Sequence, residues 1–213
     1  MAFSQRLFDA IVSGKPPLAQ SIVEEELADG ADPLTLISET MIPAMDEVGM
    51  LFRDEEYFVP ELLLSGRAMK AAMEPLRPLL AAAGAEPLGV IVAGTVKGDL
   101  HDIGKNLVIS MLEGSGFKVH DLGTDVTPQE FVEAIRELQP QILCLSALLT
   151  VTMTAMKTTI EAIKEAGLRP SVKVLVGGAP LNERYATEIG ADGYGATAID
   201  AVTLARRQVG LAN

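Results

Sequence analysis

From Ser4 to about Ala82, apolar side chains recur at helical spacing and capping residues punctuate the run. The pattern predicts four helices. The first covers about Ser4 to Ser13 and stops at Gly14, and the second covers about Leu18 to Ala28 and stops at Asp29-Gly30. Asp32 then reads as an N-cap with Pro33 as the first residue of a third helix that reaches about Phe52. A fourth spans about Pro60 to Ala82, and the Ala- and Gly-rich stretch AAAGAEP reads as a linker. From Leu88 onward short apolar runs alternate with amphipathic helices, the pattern of a parallel sheet covered on both faces. LGVIVAG, FKVHDL, QILCLSAL and VKVLVGG are the clearest strands, with a short fifth near Asp192 to Tyr194. Thr127-Pro128-Gln129-Glu130 supplies an N-cap, a first helical residue and a capping-box glutamate for one intervening helix. The expected fold is a four-helix domain over residues 1–85, followed over residues 86–213 by a flavodoxin-like (Rossmann-like), doubly wound, five-stranded parallel α/β domain.

Composition narrows what such a chain can do. Of its 213 residues 48% are hydrophobic, enough for a substantial core. Lys and Arg number 17 against 29 Asp and Glu, and the net charge of −12 opposes attraction to nucleic acid or an anionic membrane. No apolar stretch approaches the roughly 20 residues of a membrane span, so a cytoplasmic location is expected. Cys144 is the only cysteine, which excludes an internal disulfide, and its setting in ILCLSALL reads as buried core.

Three polar or glycine-rich features stand at predicted C-terminal strand ends: Lys97-Gly98-Asp99-Leu100-His101-Asp102-Ile103-Gly104, then Ser146-Ala147-Leu148, then Gly177-Gly178. In an open parallel sheet that edge forms the ligand crevice, so the three converge. Asp99 and His101 are two residues apart, close enough for the carboxylate to accept a proton from one ring nitrogen while the other points elsewhere. A histidine merely satisfied by its loop neighbour has the same spacing. Zinc is a poor fit, because a protein-built site needs three or four ligands and the chain offers His101, His120, Cys144 and scattered carboxylates. One histidine suffices for a metal already held in a macrocycle.

Asp99-x-His101-x-x-Gly104, Ser146-x-Leu148 and Gly177-Gly178, at these separations, resemble the signature of the cobalamin-binding module of methionine synthase and of methanogen- and acetogen-type corrinoid proteins. The helical region is similar to that family's N-terminal cap, so the likeness covers nearly the whole chain. The resemblance implies a corrinoid cofactor, with His101 as lower axial ligand to cobalt in place of the cofactor's own benzimidazole. Asp99 would orient that ligand, and Thr152 stands where methionine synthase has a serine completing the relay. Gly98, Leu100, Asp102 and Gly104, of the histidine loop, would also bind the cofactor. Ser146, Leu148 and Thr150 would line a slot for the displaced nucleotide tail, with Gly177, Gly178, Tyr194 and Ala198 at its walls. The glycines would admit close approach of a bulky ligand. Phe52, Val59, Leu62 and Leu63 match positions that shield the upper corrin face; Val59 replaces a leucine there.

The function implied is that of a methyl carrier in one-carbon metabolism. Its corrinoid, in the methylcobalamin form, would take a methyl group from one methyltransferase and give it to another acting on a thiol or folate-type acceptor. A reductive activator would restore the cobalt. The protein is expected to be inactive alone, since 213 residues leave no room for a substrate-activating barrel. Other readings of the same motif are a cobalamin-dependent regulator or sensor, which usually adds a basic DNA-binding domain, and the cobalamin subunit of a mutase, which the helical cap disfavours. A cofactor-free phosphoacceptor domain shares the sheet order, but the first strand ends Ala93-Gly94-Thr95 and not in an acidic cluster.

Overall fold

The computed structural model describes residues 3–82 and 87–211. The chain divides into two compact units, Met1–Glu86 with the short segment Glu113–Ser115, and Pro87–Leu112 with Gly116–Asn213. Most of the expected linker, residues 83–86, lies outside the described residues.

The first unit is helical. Helix α1 (Gln5–Val12) is capped by the Ser4 hydroxyl, which accepts from the Leu7 N–H, and buries Leu7, Ala10 and Ile11. Helix α2 (Pro16–Ala28) starts on a proline and buries Ala19, Ile22 and Val23. The third helical run opens where the cap predicts, with the Asp32 carboxylate accepting from Thr35 N–H. It is not one regular helix. Helix α3 (Pro33–Leu36) passes through a π-helical turn (Ile37–Met41) into α4 (Ile42–Arg53). Pro43 gives the cause: it has no N–H to donate one turn back and its ring crowds the carbonyl there, so the ladder widens just before it. The fourth expected helix is likewise two. Helix α5 (Val59–Met73) ends just before Pro75, and α6 (Arg77–Ala82) resumes with Pro78 in its first turn.

The second unit is a five-stranded parallel sheet with strand order 2-1-3-4-5. Its strands are β1 (Val90–Thr95), β2 (Lys118–Asp121), β3 (Ile142–Ser146), β4 (Lys173–Gly177) and β5 (Gly193–Gly195). The connecting helices are α7 (Ile103–Gly114), α8 (Pro128–Leu138), α9 (Met153–Glu165) and α10 (Glu183–Ile189), and α11 (Ala198–Gln208) follows β5. Thr127 and Glu130 form the expected capping box on α8. The chain steps from β1 outward to β2 and then back past β1 to β3, so right-handed crossovers place α7 on one face and α8 on the other. The α8, α9 and α10 face carries the larger core, in which Val92, Leu143, Leu145, Val174 and Val176 of the sheet meet Phe131, Ile135, Met156, Ile160 and Ile189. Helix α11 covers the opposite face, where Leu204 closes on Gly193.

The strand register matters most for function. Thr95 pairs with Ser146, Ser146 with Gly177, and Gly177 with Gly195, so four strand ends form one row at the C-terminal edge. In the core, Gly94 is required by Phe131, whose ring atoms would lie 2.8 Å from a Cβ at that position. Gly94→Ala is therefore expected to cost about 1–3 kcal/mol by overpacking. In urea unfolding, the double variant with Phe131→Leu should recover part of that loss, whereas simple additivity would disprove the contact as its cause.

Candidate functional site

Two loops leave the row of strand ends side by side. One runs from β1 through Asp99 and His101 to α7, and the other from β3 through Leu148 and Leu149 to Thr152, the N-cap of α9. They diverge to opposite faces of the sheet, which opens the crevice where open α/β sheets bind ligands. Asp99 joins them. Its side chain is fully buried. One carboxylate oxygen accepts from Leu148 N–H at 2.7 Å, Leu149 N–H at 3.3 Å and the Thr152 hydroxyl at 2.7 Å. The other faces His101 N–H at 3.1 Å and His101 Nδ1 at 3.0 Å.

Burial alone would push the Asp99 carboxyl up, but the hydrogen bonds from Thr152, Leu148 and His101 outweigh it and hold the group well below the usual carboxylate range. An ionised carboxylate only accepts, so Nδ1 carries a proton, and in the neutral ring the lone pair lies on Nε2. The ring is 53% exposed, with Asp99 fixing one edge and the other turned away from it. This is the tautomer a metal-binding histidine needs. The Thr152 hydroxyl also lies 2.8 Å from the Leu149 carbonyl, and its single proton serves one acceptor at a time. Its methyl sits beside Gly98, 3.7 Å from where a Cβ there would stand, so the loop accommodates threonine without crowding.

Residues not anticipated from the motif also hold the loop. The Thr95 hydroxyl, fully buried, donates to the His101 carbonyl at 2.9 Å. Asp125 adopts a left-handed conformation, φ 58°, and its N–H donates to the Asp99 carbonyl at 2.9 Å. The Asp125 carboxylate accepts from Gly98 N–H at 2.8 Å and from Lys97 Nζ at 3.0 Å, which hold its carboxyl below the ordinary value.

Around His101 the surface is apolar: Leu100, Ile103, Leu148, Leu149 and Val151 are all exposed. Asp102 is exposed as well, and its carboxylate accepts from the Asn106 amide at 3.1 Å. At Gly104, in the first turn of α7, a Cβ would meet nothing within 4 Å, which leaves an open cradle next to the histidine. A flat, largely apolar macrocycle fits such a setting.

Gly178 is different. With φ 135°, its Cβ would stand 1.8 Å from the Ala147 carbonyl, so the chain itself demands glycine there. Gly177 likewise faces the Gly195 carbonyl, 3.2 Å from its Cβ position. On the face of β3 away from the larger core, Ile142 is sealed while Cys144 and Ser146 stay partly exposed, so the open surface extends inward from the strand end. Cys144 is thus half-buried, not fully so, and burial still pushes its thiol up to about 12. Tyr194 pairs with Val176, so its side chain belongs to the face of the larger core, where its hydroxyl donates to the Leu181 carbonyl at 3.0 Å. Gly195 takes its place beside Gly177 in the row, Ala198 opens α11 buried, and Thr150 is exposed in the β3 loop. Phe52, Val59, Leu62 and Leu63 belong to the helical unit, where Leu62 is buried, Phe52 and Leu63 are half-buried and Val59 is exposed.

Among the described residues, no group of three or more His, Cys, Asp or Glu could hold a metal ion. A metal bound through His101 would have to bring most of its own ligands. Residues 89–203 match a B12 binding domain family, and residues 4–77 match a second B12 binding domain family. The chain belongs to the corrinoid methyl-carrier proteins. It is 44% identical to trimethylamine corrinoid protein 1 of Methanosarcina acetivorans over 93% of each chain. Among solved structures it is similar to a cobalamin-binding protein of Desulfitobacterium hafniense DCB-2, with a TM-score of 0.82 at 37% identity over 96% of this chain and 97% of that one. It is also similar to a chain of the methanol:cobalamin methyltransferase complex MtaBC of Methanosarcina barkeri, with a TM-score of 0.84 at 28% identity over 98% and 81%. The cofactor of this corrinoid protein is cobalamin or a related corrinoid. No helix among its described residues is long and apolar enough to cross a membrane.

The Asp99 hydrogen bonds make a stability prediction for the corrinoid protein without cofactor. A carboxyl held below its unfolded value, about 3.9, contributes stability that is complete above that pH and is lost as the pH falls toward the folded pKa. Thr152→Val should cost about 1–3 kcal/mol at neutral pH by removing a buried donor, with Thr152→Ser close to wild type. In urea unfolding, the gap to Thr152→Val should narrow below about pH 4. A gap independent of pH would deny the hydroxyl a special tie to the ionised carboxylate.

Proposed function

We propose that this corrinoid protein receives a methyl group from a methyltransferase acting on a methylated amine and passes it to a second methyltransferase that serves a thiol or folate-type acceptor, with a reductive activator as a further partner. The bound corrinoid supplies a cobalt centre that accepts and releases the methyl group. His101 would hold it, through Nε2. The observation that carries this reading is the buried Asp99 carboxylate, which fixes a proton on Nδ1 and so makes Nε2 the nitrogen with which the neutral ring would coordinate, amid exposed apolar residues of the two loops. Asp99 orients and polarises the imidazole, and Thr152 holds Asp99. Leu100, Ile103, Gly104 and Leu148 seat the macrocycle. Ser146, with Gly177 beside it, lines the slot for the nucleotide tail.

A methylated amine is favoured as donor by the 44% identity to a trimethylamine corrinoid protein, against 28% to the methanol complex. The carrier works in the cytoplasm and does not turn over small molecules by itself. Reduced, corrinoid-loaded protein should show the absorbance change of methyl-cobalt formation with a methylamine methyltransferase and its amine. Reaction with a methanol enzyme alone would move the donor class, and robust turnover by the pure protein with donor and thiol would end the carrier assignment.

Gly104 separates folding from binding. Alanine fits its open position in α7 and should raise the stability of the cofactor-free protein by about 0.5 kcal/mol, yet weaken cobalamin binding by filling the cradle. Unchanged affinity by equilibrium dialysis would place the corrinoid elsewhere.

A further inference from the structure

Lys105 stands in the first turn of α7 with its side chain only 4% exposed. Both features oppose its charge, since a helix N-terminus repels a cation and burial strips it of water. Its ammonium is compensated by both Asp121 oxygens at 2.6 Å and by Asn106 Oδ1 at 2.9 Å. Asp121 ends β2 and is itself anchored by Gly123 N–H at 2.9 Å. Asn106, with its oxygen turned to Lys105, presents its amide N–H to the Asp102 carboxylate, and its backbone N–H donates to the Asp102 carbonyl at 2.7 Å. Asp102 is the residue that follows His101. A chain of polar contacts thus runs from the end of β2 through Lys105 and Asn106 to the exit of the histidine loop.

We propose that Lys105 is a positioning residue for the cobalt ligand: by clamping the first turn of α7 to β2 and orienting Asn106, it fixes the backbone that leaves His101. Thr95 and Asp99 hold the histidine itself, and the Lys105 chain holds what comes after it. Packing alone does not ask for a lysine here, because an apolar side chain of similar length fills a buried site at no desolvation cost. A bidentate ion pair adds a fixed direction, which packing by a flexible aliphatic chain does not.

The inference rests on His101 being the ligand, and one experiment separates the two claims. Protein labelled with nitrogen-15 histidine is loaded with cobalamin and reduced by one electron, and the axial nitrogen is read by electron paramagnetic resonance. The wild type is expected to show the two-line nitrogen-15 splitting. Lys105→Met should bind the same amount of cobalamin, but its ratio of two-line signal to unsplit or three-line signal, the last from the cofactor's own benzimidazole, should fall about tenfold. If the single variant does not fold, Lys105→Met with Asp121→Leu replaces the ion pair by an apolar pair and should show the same fall. Ile135→Ala, in the core of the opposite face, serves as control: it should lower the melting temperature and leave the ratio unchanged. A wild-type ratio in the folded Lys105 variants, or an equal fall in the control, overturns the role of Lys105 alone. No histidine splitting in the wild type overturns the ligand reading and this inference with it.

Discussion

A carboxylate with no exposed surface stays ionised only if donors surround it, and at Asp99 those donors come from two separate loops. His101 supplies a backbone and a ring N–H from the β1 loop, while Leu148, Leu149 and Thr152 supply two backbone N–H groups and a hydroxyl from the β3 loop. The loops part to opposite faces of the sheet beyond the end of the β1–β3 ladder at Thr95 and Ser146, so something else must tie them together there. The single negative charge does so. A neutral side chain at 99 would leave buried N–H groups without a strong acceptor, at a cost of about 1–3 kcal/mol for each group left unsatisfied. The same charge sets the tautomer of His101. Joining the two loops and orienting the histidine are therefore one interaction.

The glycines around the site divide by cause. At Gly178 the obstacle is the Ala147 carbonyl and at Gly177 the Gly195 carbonyl, so both serve the close passage of one strand end past another. Gly104 meets no protein atom and sits on a regular helix, where alanine would be the better residue for folding. A glycine that the fold does not need, beside a histidine with a free nitrogen and among exposed leucines and isoleucine, is the kind of local inconsistency expected at a functional site.

The helix starts at Asp32 and Thr127, the five strands and their order were legible because each rests on local pattern or on chirality rules. Asp99, His101 and Thr152 were legible through a resemblance that their spacing alone could not supply. What sequence did not reveal depends on register and on contacts across the chain. Tyr194 lies on a three-residue strand whose facing is set by pairing with Val176, too short for alternation to declare a side. Thr95 reads as the end of an apolar strand, and Asp125 as one more polar residue in a turn. Lys105 carried a signal that could have been used: a lysine in the first turn of a helix, against the dipole, needs an anion, and Asp121 closes the next strand. The breaks before Pro43 and at Pro75 were also open to inspection, since an interior proline removes a helix donor wherever it stands.

Rigidity at the histidine bears on the ligand role proposed for it, in which the ring would let go of cobalt and return. If the ring were held only by its bond to a metal, release would free its rotations and each return would have to order them again. Here Nδ1 is bonded to Asp99, the His101 carbonyl accepts from Thr95, and its N–H is also tied to Asp99, all without a metal. The ordering cost is met by folding, so the ring is oriented before any ligand arrives. A ring fixed in advance is what a histidine that would leave and return to a metal needs, and it follows from burying one carboxylate behind one histidine.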